Sequence, residues 1–152
     1  MPASVQIEPL RSAAELEELL PAIAAYQRFY EVEDVDDERN RAFFARFLSP
    51  SEDGMILVAR EGGEIRGYAC LYWHFSSTRA VETVLMNDLF VAESARGQGV
   101  GRALIEASAA VGRERGAASL DWSTAPDNRR AQALYDTTGA GKSEWLEYEL
   151  GL

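Results

Sequence analysis

The residues whose types and spacing suggest chemistry run from Asp88 to Ile105. They form an apolar strand, the turn Arg96-Gly97-Gln98-Gly99-Val100-Gly101-Arg102, and then an amphipathic helix. The hydrophobic period changes there from two, at Leu89 and Val91, to the helical spacing of Val100, Ala103, Leu104, Ala107 and Val111. Glycines at alternate positions let the backbone take positive φ and let a ligand come close to the amides. A helix starting near Gly99 leaves its first N–H groups without internal acceptors and carries about half a positive charge at that end. Phosphate oxygens suit such a terminus. Arg96 and Arg102 flank the glycines, and no acid lies between Glu93 and Glu106, although the chain has a formal net charge of -10.

Spacing excludes two other phosphate motifs. No Gly-Lys-Ser/Thr ending completes a P-loop, and Arg102 stands where the dinucleotide fingerprint needs a small residue. What remains is R-x-x-G-x-G, filled by Arg96, Gly99 and Gly101. Taken alone, these glycines fit a tight, ligand-free strand-to-helix turn equally well.

The elements around this turn follow from pattern. Val5 and Ile7 make a short strand, and Ser12 to Glu15 reads as a capping box opening a helix over Leu16, Leu19, Leu20 and Ile23. Pro21 predicts a kink or break in that helix. Glu31 to Glu38 carries six carboxylates in eight residues, a solvated run before a second helix at Phe43 to Leu48. Strands are expected at Met55 to Ala59, Ile65 to Phe75 and Ala80 to Val91. A long helix then runs from Gly99 to about Arg115. It is followed by a strand at Ala118 to Ser123, a helix after Asn128, and a last strand from Glu144 to Leu150. This order predicts one α/β domain spanning residues 1–152, with a mixed, mostly antiparallel sheet of six to seven strands flanked by about four helices.

Composition narrows the function classes. The chain has 152 residues, 47% of them apolar, enough for a single buried core. Its 15 basic and 25 acidic side chains disfavour nucleic acid and suit a cationic partner, although acidity also serves solubility. One cysteine and one histidine fall short of a transition-metal site, so no metal is expected. Cys70 reads as a buried small hydrophobe, and His74, in an aromatic strand, as a packing residue. The start lacks a signal-peptide pattern and no stretch is long and apolar enough to span a membrane, so a cytoplasmic location is expected.

The strand Leu89-Phe90-Val91, the Arg96 to Gly101 turn, and Asn128-Arg-Arg-Ala-Gln-Ala-Leu-Tyr135 followed by Gly139-Ala140 resemble the GNAT N-acetyltransferase superfamily, from residue 84 onward. The run from Trp122 to Tyr135 is similar to the branch holding histone, polyamine and small-amine acetyltransferases. The resemblance implies acetyl-CoA as cosubstrate and a small cationic amine or a lysine side chain as acceptor. It places the pyrophosphate on Arg96, Gly97, Gln98, Gly99, Val100, Gly101 and Arg102. The pantetheine arm would lie along Leu89, Phe90 and Val91, where that strand splays from its neighbour, and against Asn128, which also suits helix capping. An N–H of the strand would polarise the thioester carbonyl.

Tyr135 takes the role of general acid in this resemblance. A phenol with a pKa of about 10 is well matched to a leaving thiolate. For the base, related polyamine enzymes often carry Glu where this chain has Asn87, and an amide takes no proton. Asp88, acting through ordered water, is the first candidate and Glu82 the second. The acidic run at 31–38 would overhang the acceptor site. A homodimer is also implied, with Trp145 and Tyr148 as interface anchors. Two other readings stand beside this one. A non-catalytic acyl-CoA-binding module is disfavoured by Tyr135 and Asn128, and an acetyltransferase toxin acting on charged tRNA would need a basic surface that this composition does not offer.

Overall fold

Ser12 opens the first helix as its pattern predicts. In the computed structural model, which describes residues 4–152, helix α1 spans Ala13–Phe29. The expectation of no leader peptide begins at Met1 and so falls partly outside the described residues. Ser12 Oγ accepts from Glu15 N–H at 3.1 Å, and the Glu15 carboxylate accepts in turn from the Ser12 hydroxyl and from Arg11 N–H. The expected kink at Pro21 does not occur, and α1 runs through it unbroken. The reason is placement. Pro21 and Glu17, whose carbonyl loses its N–H partner, both lie on the exposed face, where water can serve that carbonyl. Leu16, Leu19, Leu20, Ile23 and Ala24 bury the other face on both sides of the proline.

Helix α2 spans Asp37–Phe44 and is capped by Asp36, whose carboxylate accepts from Glu38 N–H at 2.9 Å and Arg39 N–H at 3.1 Å. Asp34 pairs with Arg39 at 3.1 Å. Two carboxylates of the acidic run are therefore committed to holding α2.

The sheet contains β1 (Gln6–Pro9), β2 (Gly54–Glu61), β3 (Glu64–Ser76), β4 (Val81–Val91) and β5 (Leu120–Asp121), in the order β1-β2-β3-β4-β5. The first four are antiparallel neighbours, and β5 joins β4 in parallel. A parallel step requires a crossover, which α3 (Val100–Glu114) supplies. Helix α4 spans Arg129–Tyr135. Four helices match the expectation, but five strands form rather than six to seven. The missing strand is Glu144 to Leu150, which pairs with nothing among the described residues and is exposed throughout. Its alternation shows that the segment can pair, but alternation does not bring an edge within reach.

Alternation along β3 divides the core into two layers. Tyr68 and Cys70 join Leu16, Leu19, Ile23, Phe47 and Ile56 beneath α1 and α2, while Ala69 and Leu71 join Leu57, Val84, Val100 and Leu104 beneath α3. Cys70 is fully buried, as expected. From residue 113 onward no residue is buried.

Candidate active site

Chain conformation at the turn is set by two glycines. Gly97 has φ 76° and Gly99 φ 85°, and a Cβ at either position would meet nothing within 4 Å. The requirement there is conformational rather than steric. Buried Val100 anchors the turn in the core beneath α3. The first bond of α3 runs from Ala103 N–H to Gly99 C=O at 3.0 Å, so among the described residues the amides from Gly97 to Arg102 have no intramolecular acceptor.

Gly101 has a different reason. A Cβ there would stand 2.9 Å from Leu134 Cδ2 and 3.5 Å from Val91 Cγ2, so this glycine lets α3 pack against α4 and β4. Arg102 is drawn the same way, donating to Thr137 Oγ1 and to the Thr137 carbonyl and lying 3.9 Å from Glu106. Arg96 is exposed beside the turn, and the Gln98 amide donates to the Ser94 carbonyl at 3.1 Å.

Strand β4 meets β5 only at Val84 with Leu120 and at Leu85 with Asp121. From Met86 to Val91 it keeps β3 on one side and has no strand on the other. This open stretch contains Leu89, Phe90 and Val91, as the expected splay requires. Just before them the register shifts, with Leu71 opposite Met86 and Cys70 opposite Asp88, so Asn87 is the extra, bulged residue. Leu89 N–H donates at 3.4 Å to the Tyr26 hydroxyl of α1. Tyr26 lies three residues beyond Ile23 on α1. Its ring stands edge-on to Tyr30 at 5.0 Å, Phe90 at 6.0 Å and Tyr68 at 6.1 Å.

Asp88 lies among Tyr26, Tyr68, Cys70 and Tyr72, whose hydroxyl and thiol protons its charge helps to retain. Burial pushes its own carboxyl up to about 6, and the Asn87 amide, donating at 3.1 Å, opposes that shift. Tyr135 is half-buried on α4 against the Trp122 ring, with centroids 5.5 Å apart. Burial first, and the neighbouring Tyr30 phenol second, hold its proton more tightly than an ordinary phenol does. A carboxyl raised to about 6 can take a proton, and a phenol that stays protonated can give one.

A family comparison decides between the readings. The model of the Acetyltransferase (GNAT) family matches residues 16–140. The chain belongs to the GNAT acetyltransferase family. Among relatives, the N-acetyltransferase YhfO of Bacillus subtilis is 32% identical over 121 residues, covering 80% of each chain. The D-amino-acid N-acetyltransferase HPA3 of Saccharomyces cerevisiae is 40% identical over 108 residues, covering 70% of this chain and 66% of that one. The crystal structure of a probable acetyltransferase superposes with a TM-score of 0.84 at 29% identity, covering 97% of both chains. The protein is thus an acetyl-CoA-dependent N-acetyltransferase.

The residues of this GNAT domain fit that cosubstrate. The amides after Arg96 lack acceptors, the space over Gly97 and Gly99 is open, and β4 has a free edge for an extended arm. Bound acetyl-CoA supplies an acetyl group activated as a thioester. Leu89 N–H, held by a long bond of 3.4 Å to the Tyr26 hydroxyl, could donate to a carbonyl lying along β4.

The remaining candidates separate. Asn128 caps α4, its Oδ1 accepting from Ala131 N–H at 3.2 Å, which leaves its amide hydrogens to serve a ligand. Glu82 is exposed and lies six residues along β4 from Asp88, about 20 Å away at strand rise, so the fold does not bring it to the others. His74 is exposed opposite Thr83 rather than packed, because it sits at the outer end of β3. Among the described residues no group of three or more His, Cys, Asp or Glu could hold a metal.

Proposed function

We propose that the protein acetylates the primary amine of a small cationic substrate or of a lysine side chain by direct attack on the acetyl donor. The observation that carries this reading is Asp88, a half-buried carboxyl raised to about 6 on the stretch of β4 beyond its pairing with β5. Ionised at neutral pH, it attracts an ammonium group and takes the amine's proton through one water. Leu89 N–H stabilises the charge that develops on the carbonyl oxygen, and Tyr135 Oη holds the proton that the departing sulfur requires.

The net charge of -10 favours a cation over a polyanion. HPA3 acts by name on D-amino acids, and a bovine relative that is 30% identical over 80 residues is named thialysine N-epsilon-acetyltransferase. Both names describe amines on small molecules. A cytoplasmic location belongs to the same reading, since the one cysteine is buried and forms no disulfide.

The test is thiol release from acetyl-CoA across polyamines, D- and L-amino acids, aminoglycosides and basic peptides. Turnover confined to cationic amines is the expected result. A blank across the panel from protein that still binds coenzyme A would overturn the cationic-amine reading of the acceptor.

A further inference from the structure

Beside the last turn of α3, near the end of β1 and the start of β2, lies an open pocket of about 290 Å³. Arg11, just after β1, and Arg115, at the C-cap of α3, both line it, and no acidic residue does. Glu52, Asp53 and Glu114 adjoin the lining residues in sequence but stand outside the wall. Neither arginine forms an ion pair among the described residues, in a chain whose 25 acidic side chains outnumber its 15 basic ones. The local sign is again opposite to the global one.

Arg115 is already positioned. Its guanidinium carbon stands 3.6 Å over the Trp73 ring. Trp73 is fixed in turn, donating its Nε1–H to the Ser51 carbonyl at 2.9 Å and its backbone N–H to the Asp53 carbonyl at 3.0 Å. A guanidinium stacked by its face keeps its N–H donors at the rim, in a planar fork that suits two oxygens of one anion. The C-terminal dipole of α3 alone disfavours an anion, and the Arg115 charge at that terminus offsets it. In the wall, the Ser49 hydroxyl is buried and bonds to nothing among the described residues, so the pocket has polar capacity that the chain itself does not use.

We propose that this pocket binds a small organic dianion, chemically a phosphate monoester. Two guanidinium groups match its charge. The volume is more than an inorganic phosphate fills, and Met55 and the Trp73 ring add apolar surface on which an organic body can lie. The pocket stands apart from the turn at Gly97 to Gly101. Helix α3 has 15 residues, so its ends are roughly 22 Å apart, with the turn at one and this pocket at the other.

The test is titration of phenyl phosphate into the full chain, with one equivalent of coenzyme A present to occupy its own site first. The readout is the indole N–H resonances of the three tryptophans, with Trp73 assigned through Trp73→Phe. The Trp73 signal should shift and saturate, while those of Trp122 and Trp145 stay in place. Arg11→Gln and Arg115→Gln should each weaken this binding at least about 10-fold, as loss of a charge-assisted hydrogen bond does. Both arginines are exposed, so the variants should fold and bind coenzyme A as the native chain does. Arg113→Gln, outside the pocket, should change nothing. Inorganic phosphate and phenol should each bind more weakly than phenyl phosphate, and succinate tests a dianion of other chemistry. No saturable shift of Trp73 with phenyl phosphate overturns the proposal, as does undiminished affinity in both arginine variants. Tighter binding of succinate overturns the phosphate assignment. Shifts confined to the amides of 97–102 would place the anion at the turn and refute a second site.

Discussion

The Asn87 side-chain amide donates to the Asp88 carboxylate over 3.1 Å, and so the bulged residue of β4 steadies the charge of the residue beside it. Burial works against that charge and wins, which is why the carboxyl titrates near neutrality rather than near 3.8.

Stability should record the cost of that half-buried charge. The folded-state value of about 6 lies above the unfolded value of 3.8. Neutral Asp88 therefore favours the fold below pH 4, and this contribution is lost as pH rises through 6. Asp88→Asn should stabilise the protein at pH 8 by up to about 3 kcal/mol relative to its effect at pH 4. Denaturant midpoints at the two pH values measure this. Turnover of the same variant should fall about 100-fold or more.

Removing the donor should move the acid limb of the rate profile. Asn87→Ala deletes the one contact that lowers the Asp88 value, so half-maximal kcat/KM should shift to higher pH. Activity well above the transition should be retained. A profile that does not move would show that the limb belongs to another group.

Tyr135→Phe should reduce kcat by about 100- to 10,000-fold while coenzyme A binding, followed by calorimetry, stays intact. Because burial and Tyr30 raise the phenol above 10, the wild-type alkaline limb should lie beyond the ordinary tyrosine range. Unchanged turnover in the variant would remove Tyr135 from the acid role.

The glycines of the turn should respond differently. Gly99→Ala forces a side chain into φ 85° with open space around it, costing about 1–2 kcal/mol and weakening coenzyme A binding by distorting the amides. Gly101→Ala keeps helical backbone but presses on Leu134. Its effect should fall on the placement of α4, and so on kcat more than on binding. Paired stability and KM measurements on the two variants separate these cases.

How much of this was legible in sequence depends on the range of the interaction. Ser12, Gly97 and Gly99 act within a turn of themselves, and that cap and the left-handed positions can be read from local spacing, whereas Asp36 reads only as one carboxylate of a solvated run. Tyr26 acts on Leu89 across 63 positions, and nothing near either residue announces it. The run-on of α1 past Pro21 depends on which face meets water, which is a tertiary fact. Gly101 was legible as a member of a motif but not in its reason, since the crowding comes from α4. Glu82 and Asp88 share a strand, and only the point where β4 parts from β5 shows that one lies at the fork and the other does not. Glu144 to Leu150 alternates as a strand should, but finding its partner requires knowing what lies alongside.

The sealed position of Cys70 has a practical consequence. The chain's only sulfhydryl is fully buried and its proton is held well above the usual thiol range, so a disulfide reagent added to the intact protein finds nothing to react with. A colorimetric signal from such a reagent reports free coenzyme alone, and acceptors can be ranked on the native sequence without a cysteine-less variant.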